Sequence, residues 1–357
     1  MSHLFSPLTI RSVTFAHRAW VSPMCQYSAS DGIVGDWHLV HLGSLATGRP
    51  GLIMAEATAV SPEGRITPAC AGIWRDEHGA AWQRIVDFVH GQDTPIGLQL
   101  AHAGRKGSCR PPSKGGTTVP RADGGWQTVG PSNLAYGALP EPAALDSNGI
   151  AQIVQDFVAA AERAVDAGFD VIELHMAHGY LLHEFLSPLS NARTDAYGGS
   201  PQNRSRLPLE IAAAVRAAIP IDMPLFARLS TTDWMPSGWS AEDAIALARE
   251  LYNHGVDLID ASSAGLHHEQ TLPQHPRYQV DIAARLRAET GGLVAAVGLI
   301  TDPEQAEEII RHGDADACFL ARAMLRDPHW SLRAAARLSA DVGWPDQYAL
   351  ARHWSGV

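Results

Sequence analysis

The stretch Ala167-Gly168-Phe169-Asp170-Val171-Ile172-Glu173-Leu174-His175-Met176-Ala177-His178-Gly179-Tyr180 holds one repeating unit of this chain. An amphipathic run, Ile150–Ala167, ends at its start, with Ile153, Phe157, Ala160, Ala161 and Ala164 on one face. Gly168 follows, the residue that most readily takes the left-handed conformation closing a helix. The short apolar run Asp170–Leu174 reads as a buried parallel strand. Directly after it come two imidazoles and a phenol. Helix, glycine, strand and then polar side chains is the order of a βα unit that delivers chemistry at its strand end.

Outward from this stretch the order recurs. Junctions of the same kind stand at His254-Gly255-Val256-Asp257 and His312-Gly313-Asp314. Eight apolar runs read as strands: Ala19–Pro23, Gly51–Ala55, Ile96–Leu100, Asp170–Leu174, Pro224–Leu229, Asp257–Ala261, Leu293–Val297 and Asp316–Leu320. Helical periodicity fills Arg204–Ala218, Ala241–His254, Val280–Thr290 and Pro303–His312. Eight such units in series predict an α/β fold, a closed (β/α)8 TIM barrel, more readily than an open sheet. The alternation of Leu4, Phe5, Leu8, Ile10, Val13 and Phe15 predicts a hairpin ahead of the first strand, placed to plug the barrel bottom. Residues Ala103–Asn148, rich in Gly, Pro and Ser, read as a long insertion after the third strand, on the active-site side. With no linker in view, residues 1–357 are expected to form a single domain.

Composition narrows the function. At 46% hydrophobic and 18% charged residues the chain is ordinary globular material. A net charge of −11 argues against nucleic acid or an anionic membrane as partner. Cys25, Cys70, Cys109 and Cys318 are scattered, without the spacing of a zinc or iron–sulfur site, so no metal is expected. The N-terminus lacks a signal-peptide pattern, and no apolar stretch reaches membrane-spanning length. The expected location is a reducing cytoplasm.

In a barrel of this kind the reactive groups lie at the C-terminal ends of the strands. Here those ends carry Ser22-Pro23-Met24-Cys25-Gln26-Tyr27, Glu56-Ala57, Gln99 with Ala101-His102-Ala103-Gly104-Arg105, and His175 to Tyr180. The later strands add Arg228, Ser262-Ser263, Gly298 and Ala321-Arg322. A solvent-facing barrel rim has no structural need of such a set.

These residues resemble the old yellow enzyme family of flavin oxidoreductases. The resemblance is carried by Glu173 to Pro188, with its His-Met-Ala-His-Gly-Tyr core, and by Asn191-Ala192-Arg193-Thr194-Asp195-Ala196-Tyr197-Gly198-Gly199-Ser200. The Ser-Pro-Met-Cys-Gln-Tyr start is similar to the branch of xenobiotic reductases and thermophilic-like ene-reductases. What the resemblance implies is tight, non-covalent FMN and no separate dinucleotide domain. NADPH and an activated alkene would take turns over one flavin face, giving ping-pong kinetics. The absence of G-x-G-x-x-G after a strand agrees with that. By the same resemblance Ser22, Pro23, Met24, Cys25 and Ala57 border the flavin. Gln99 would meet its pyrimidine edge and Arg228 its N1/C2-carbonyl region. Gly298, Ala321 and Arg322 would take the phosphate, with Ala321 standing where the family pattern has Gly.

Each residue also has a plainer reading. His175 and His178, three apart, are either two donors converging on one substrate oxygen or ordinary turn histidines; the H-E-x-x-H zinc pattern is absent. His38 and His41 share that spacing but fall in a helical pattern, and read as surface or packing residues. Tyr180 is a packed aromatic or a proton donor to the alkene's alpha carbon, and Tyr27 a second hydroxyl of the substrate pocket. Cys25 is an inert thiol or a flavin neighbour that tunes its potential. Gln99 and Arg228 form an internal polar network or hold the cofactor. The tail residues Arg352 and Trp354 are a frayed terminus or, by resemblance, line a neighbouring subunit's substrate pocket in a homodimer or homotetramer. The expected activity is that of an NADPH-dependent ene-reductase acting on an enone, maleimide or nitroalkene. The alternatives are another FMN barrel of the dienoyl-CoA reductase or dihydroorotate dehydrogenase kind, a metal-dependent hydrolase, or a non-catalytic flavin binder.

Overall fold

The computed structural model describes residues 2–273 and 275–352, so Trp354 lies outside the described residues. Its first strands, β1 (Leu8–Ile10) and β2 (Val13–Phe15), pair as an antiparallel hairpin. Next come β3 (Ala19–Val21), α1 (Asp36–Ala46), β4 (Leu52–Ala59), α2 (Asp76–His90) and β5 (Ile96–Ala101). The insertion after β5 contains two short paired strands, β6 (Val129–Gly130) and β7 (Ala143–Ala144). Beyond it α3 (Ser147–Asp166), β8 (Val171–Met176), α4 (Leu181–Leu186), α5 (Pro201–Ala218), β9 (Leu225–Ser230), α6 (Ala241–Asn253) and β10 (Leu258–Ser262) follow. The chain continues through α7 (Val280–Thr290), β11 (Leu293–Ala296), α8 (Pro303–His312), β12 (Ala317–Leu320), α9 (Arg322–Arg326) and α10 (Trp330–Arg337).

Strands β3, β4, β5, β8, β9, β10, β11 and β12 close into one barrel in chain order. All eight expected strands are present. The expected helices form as well, with Asp146, Ser200, Ser240 and Asp302 as N-caps accepting backbone N–H groups. Elements α4, α10, β6 and β7 also lie outside the sequence reading, and two further departures have a plain physical cause. Helix α2, unassigned there, buries Trp82, Ile85, Val86 and Val89, a stripe diluted in sequence by histidines and carboxylates. Strand β4 runs four residues past Ala55, because its pairing with β5 shifts register between Ala55 and Thr58 and takes Glu56 and Ala57 into the irregularity.

The pleat sends alternate side chains to the barrel interior. Its lower layer is apolar: Trp20, Leu52, Met54, Val171, Phe226, Leu258, Ala295, Ala317 and Phe319 pack together with Ile10 and Phe15 of the hairpin. The hairpin therefore does plug the bottom. Trp20 stacks on Phe226 at 5.9 Å and meets Phe319 edge-on at 5.4 Å, while Phe15 leans on Trp20 at 4.8 Å. Its indole N–H donates to His17 O at 2.9 Å, so the buried ring leaves no polar atom unmet. One step up, at Ser22, Glu56, Gln99, Glu173, Arg228 and Asp260, the strands turn polar, and there the candidate site begins. Phe226→Ala should open a cavity in this plug and destabilise the fold by about 3–5 kcal/mol, seen as a lower urea midpoint; an unchanged midpoint would mean the plug is not tightly packed.

Candidate active site

The polar layer is set by strand register. Gln99 lies opposite Glu173, and Arg228 lies opposite both His175 and Asp260. The Gln99 amide donates to Glu173 Oε1 at 2.7 Å, and Arg228 Nε stands 3.0 Å from Asp260 Oδ2. All four are buried. The internal network is thus real, and it leaves atoms over. Glu173 Oε2, His175 Nδ1, Arg228 Nε and both Asp260 carboxylate oxygens are buried without a hydrogen-bond partner, Arg228 and Asp260 meeting as an ion pair. Such atoms cost free energy unless something else meets them.

Above this layer two segments converge. From β8 come His175, His178 and Tyr180. The His175 ring lies 5.2 Å from that of His178 and 5.1 Å from that of Tyr180, nearly perpendicular to both. From the end of β3 come Cys25 and Tyr27, the latter held in the left-handed region at φ +50°. His178 is left-handed as well, at φ +59°. Non-glycine residues adopt that region at a cost, and cluster where geometry is functional. His178 is pinned on three sides. Its backbone N–H donates to Ser230 Oγ at 2.9 Å, its ring Nε2 lies 2.7 Å from Ser262 Oγ, and its carbonyl accepts from Lys106 Nζ at 2.8 Å.

Protonation follows from burial. His175 and His178 are held well below the ordinary imidazole range, first by burial and then by the nearby Arg228 cation. Both are neutral at neutral pH, and each offers one N–H. Burial raises Tyr180, Tyr27 and Cys25, so both phenols and the thiol keep their protons.

The expected cofactor residues lie around the same end of the barrel. Ser22 is buried, and it lines a small crevice with Met24 and Glu56. Pro23 and Met24 are half-buried. Ala57 shares another crevice with Ala103 and Tyr180. Gly298 has φ +116°, and a Cβ there would come within 2.4 Å of Gln279 Nε2, so glycine is required. Ala321 has φ −104°, outside the left-handed region that favours glycine, so that dihedral does not call for the family's Gly. The Arg322 side chain is exposed, with no hydrogen bond or ion pair to a described residue. Unmet buried polar atoms, a glycine-only turn and an unengaged guanidinium together fit a planar, phosphate-bearing group such as FMN.

Sequence reasoning missed Lys106 and Glu184 here, and it quoted Arg105 and Glu56 at their strand ends without giving them a role. Lys106 Nζ donates to His178 O and Gly265 O, and lies over the rings of Tyr180 and Tyr136 at 5.0 and 4.7 Å. Burial pulls its pKa down to about 8. Arg105 donates to Leu134 O and Leu266 O, tying the insertion to the loop after β10. Glu184 Oε1 accepts the Arg105 backbone N–H at 2.9 Å. Glu56 Oε2 accepts the backbone N–H of Gln26 at 3.0 Å, between Cys25 and Tyr27. His38 stands 3.3 Å from Glu56 Oε1 and is buried, a packing residue and not a surface one. An adjacent Arg-Lys pair just past a strand end was the one local signal. On the tail, Arg352 is exposed, with its guanidinium 2.6 Å from Asp341 and no bond to its own chain's site.

The model of the NADH:flavin oxidoreductase / NADH oxidase family matches residues 3–341. An NADPH dehydrogenase of Bacillus subtilis is 43% identical over 348 residues, covering 97% of this chain and 98% of that one. An NADH:flavin oxidoreductase of Gibberella zeae is 47% identical over 329 residues, covering 87% and 80%. The solved structure of morphinone reductase superposes with a TM-score of 0.80 at 30% identity, covering 97% of this chain and 92% of that one.

Several buried histidines have depressed pKa values, among them His17 and His102 down to about 4 and the site pair well below 6.5. A depressed folded pKa means the fold favours the neutral ring. That contribution is present above 6.5 and is lost as pH falls toward the folded value. Ring-proton titration by NMR should therefore find His175 and His178 neutral at pH 5.5; a midpoint near 6.5 for either would contradict their burial.

Proposed function

The chain belongs to the NADH:flavin oxidoreductase / NADH oxidase family, that of old yellow enzyme, an oxidoreductase family using FMN and NAD(P)H, and from this premise we propose that it is an NADPH-dependent reductase of activated alkenes. The observation that carries the reading is the cluster of two neutral imidazoles and a protonated phenol above the Arg228–Asp260 pair. When bound, FMN supplies a two-electron carrier between NADPH and the alkene. His175 and His178 each direct an N–H at the carbonyl or nitro oxygen of an enone, maleimide or nitroalkene. Negative charge grows on that oxygen as hydride reaches the beta carbon, and fixed donors stabilise it without reorganising. Neutral rings suit this role, since a positive ring would need charge compensation in the resting site. Tyr180 keeps a proton at its phenol oxygen for the alpha carbon. Tyr27 binds the substrate from the opposite segment.

The remaining residues hold the cofactor in this reading. Cys25 places a neutral thiol beside the flavin ring, where it tunes the potential without acting as a nucleophile. Ser22, Pro23, Met24 and Ala57 form the wall. Gln99 offers its amide to the pyrimidine edge. Arg228 sets a fixed cation where charge collects on the reduced ring. Gly298, Ala321 and Arg322 receive the phosphate. Donor and acceptor use one pocket in turn, so the kinetics are ping-pong. Four free cysteines and an acidic surface suit a reducing cytoplasm.

His175→Ala combined with His178→Ala should slow reoxidation by 2-cyclohexenone on the order of 10²–10³-fold or more, while FMN content stays at the parental level. Reoxidation at the parental rate would remove the pair from its activating role.

A second copy of the chain is part of the proposal. A groove of about 720 Å³ lies outside the barrel, bordered by Val40, Phe88, Pro328 and Tyr348. Val40, in the groove, is 66% exposed, and Leu350 of the tail is 98% exposed. In a two-fold dimer seated here, Arg352 would reach the neighbour's substrate pocket and each subunit would complete the other. Deleting residues 350–357 should then raise KM for the alkene with FMN content intact. A fully active monomer in analytical ultracentrifugation would overturn the shared site.

A further inference from the structure

We infer that His183 and Asp233 form a buried imidazole–carboxylate pair that sets the conformation of the His175–Tyr180 turn, which makes both of them positioning residues for the donor pair. The inference rests on the reading of that turn as the substrate-activating group.

Both side chains are wholly buried. His183 lies in α4, immediately after the turn. Its Nδ1 accepts the backbone N–H of Gly179 at 2.9 Å, and its Nε2 stands 2.9 Å from Asp233 Oδ1. An Nδ1 that accepts carries no proton, so the ring proton sits on Nε2, beside the carboxylate as a close charge contact and not as an aligned hydrogen bond. The opposite tautomer would set two N–H groups against each other. Asp233 is fixed in turn by Ser187 Oγ at 2.7 Å and the Trp239 backbone N–H at 2.8 Å, both on Oδ2. Burial pushes the Asp233 carboxyl up, but His183 and these donors outweigh it and leave it below its ordinary value. The charged carboxylate therefore selects the one imidazole tautomer that can hold Gly179.

Gly179 is the point where that hold matters. It has φ +69°, and a Cβ there would come within 2.2 Å of Gly265 O. On one side of it is His178, already left-handed; on the other is Tyr180. Ser230 holds His178 N, Lys106 holds His178 O, and His183 holds Gly179 N. Without the last contact the peptide between His178 and Gly179 is held only at its carbonyl, by Lys106, and the positions of the His178 ring and the Tyr180 hydroxyl are less tightly fixed. The same wiring recurs under the other segment. The Gly35 N–H donates to His38 Nδ1 at 3.2 Å, His38 Nε2 faces Glu56, and Glu56 holds Gln26 N.

Three substitutions separate hydrogen bonding from packing. His183→Asn puts a carbonyl oxygen near the Nδ1 position, where it can accept from Gly179. His183→Gln, closer to histidine in volume, puts its polar end near Nε2, toward Asp233. Packing alone therefore ranks Gln above Asn and both above Ala. The proposed role ranks Asn above Gln. With FMN content and reduction by NADPH measured alongside, we expect His183→Gln and His183→Ala to slow alkene reoxidation on the order of 10–100-fold, and His183→Asn to slow it less. Gln outperforming Asn would overturn the proposal. In the unaltered protein, nitrogen NMR of His183 should find the proton on Nε2, and hydrogen exchange should find the Gly179 amide protected. A proton on Nδ1, or an unprotected Gly179, would overturn it too. Neither of these two readouts depends on substrate. If the His175 and His178 variants reoxidise normally while the His183 tautomer stands, the activating role of the turn has failed and the brace has not.

Discussion

In a closed barrel every second strand residue has nowhere to go but inward, and every polar atom sent there must find a partner. The register of eight parallel strands decides which residues meet. In the lower layer the meeting is apolar, around Trp20 and Phe226. In the upper layer it brings Gln99 to Glu173 and Arg228 to both His175 and Asp260. A one-residue slip in β8 would turn Glu173 and His175 to the helix side and strand both partners. The plug and the polar layer thus enforce each other: the first fixes the register, and the second exists only in that register.

The electrostatics of the upper layer follow from the same enclosure. Burial disfavours charge, so the site histidines are neutral and the phenols protonated. Glu173 and Asp260 sit deep beside one guanidinium, and burial raises both carboxyls. Arg228 stays the fixed positive centre among them. A site assembled this way holds donors that are ready before any substrate arrives. That matters because oriented dipoles in a dry pocket stabilise growing charge more than mobile water can.

Part of the backbone strain lies at the same place. Tyr27 and His178 both hold left-handed conformations, and each is next to a residue braced by a buried side chain. Arg105 and Lys106 stitch the loops over them, from the insertion to the segments around His178 and Gly265. Strain of this kind persists only where the surroundings over-determine it. The braces therefore come from elements packed beside the turns, not from the turns themselves.

What the sequence determined by itself was everything with a local signature. Strand runs, helix periodicity, capping residues and glycine stops are written within a dozen residues, and they predict the barrel, its plug and its insertion. The His175–Tyr180 and Ser22–Tyr27 segments were legible for the same reason, as polar runs at strand ends. What only the tertiary structure decided were the partners. Asp233 lies 46 residues from Ser187, which it binds; Glu56 lies 30 from Gln26; Arg105 lies 161 from Leu266. No periodicity links such pairs, and a buried carboxylate looks in sequence like any surface one. His38 reads as an ordinary helix residue, and His183 has no reading of its own, until their neighbours are known. Which nitrogen of each ring bears the proton depends on a backbone amide and a carboxylate that meet only when the barrel has closed.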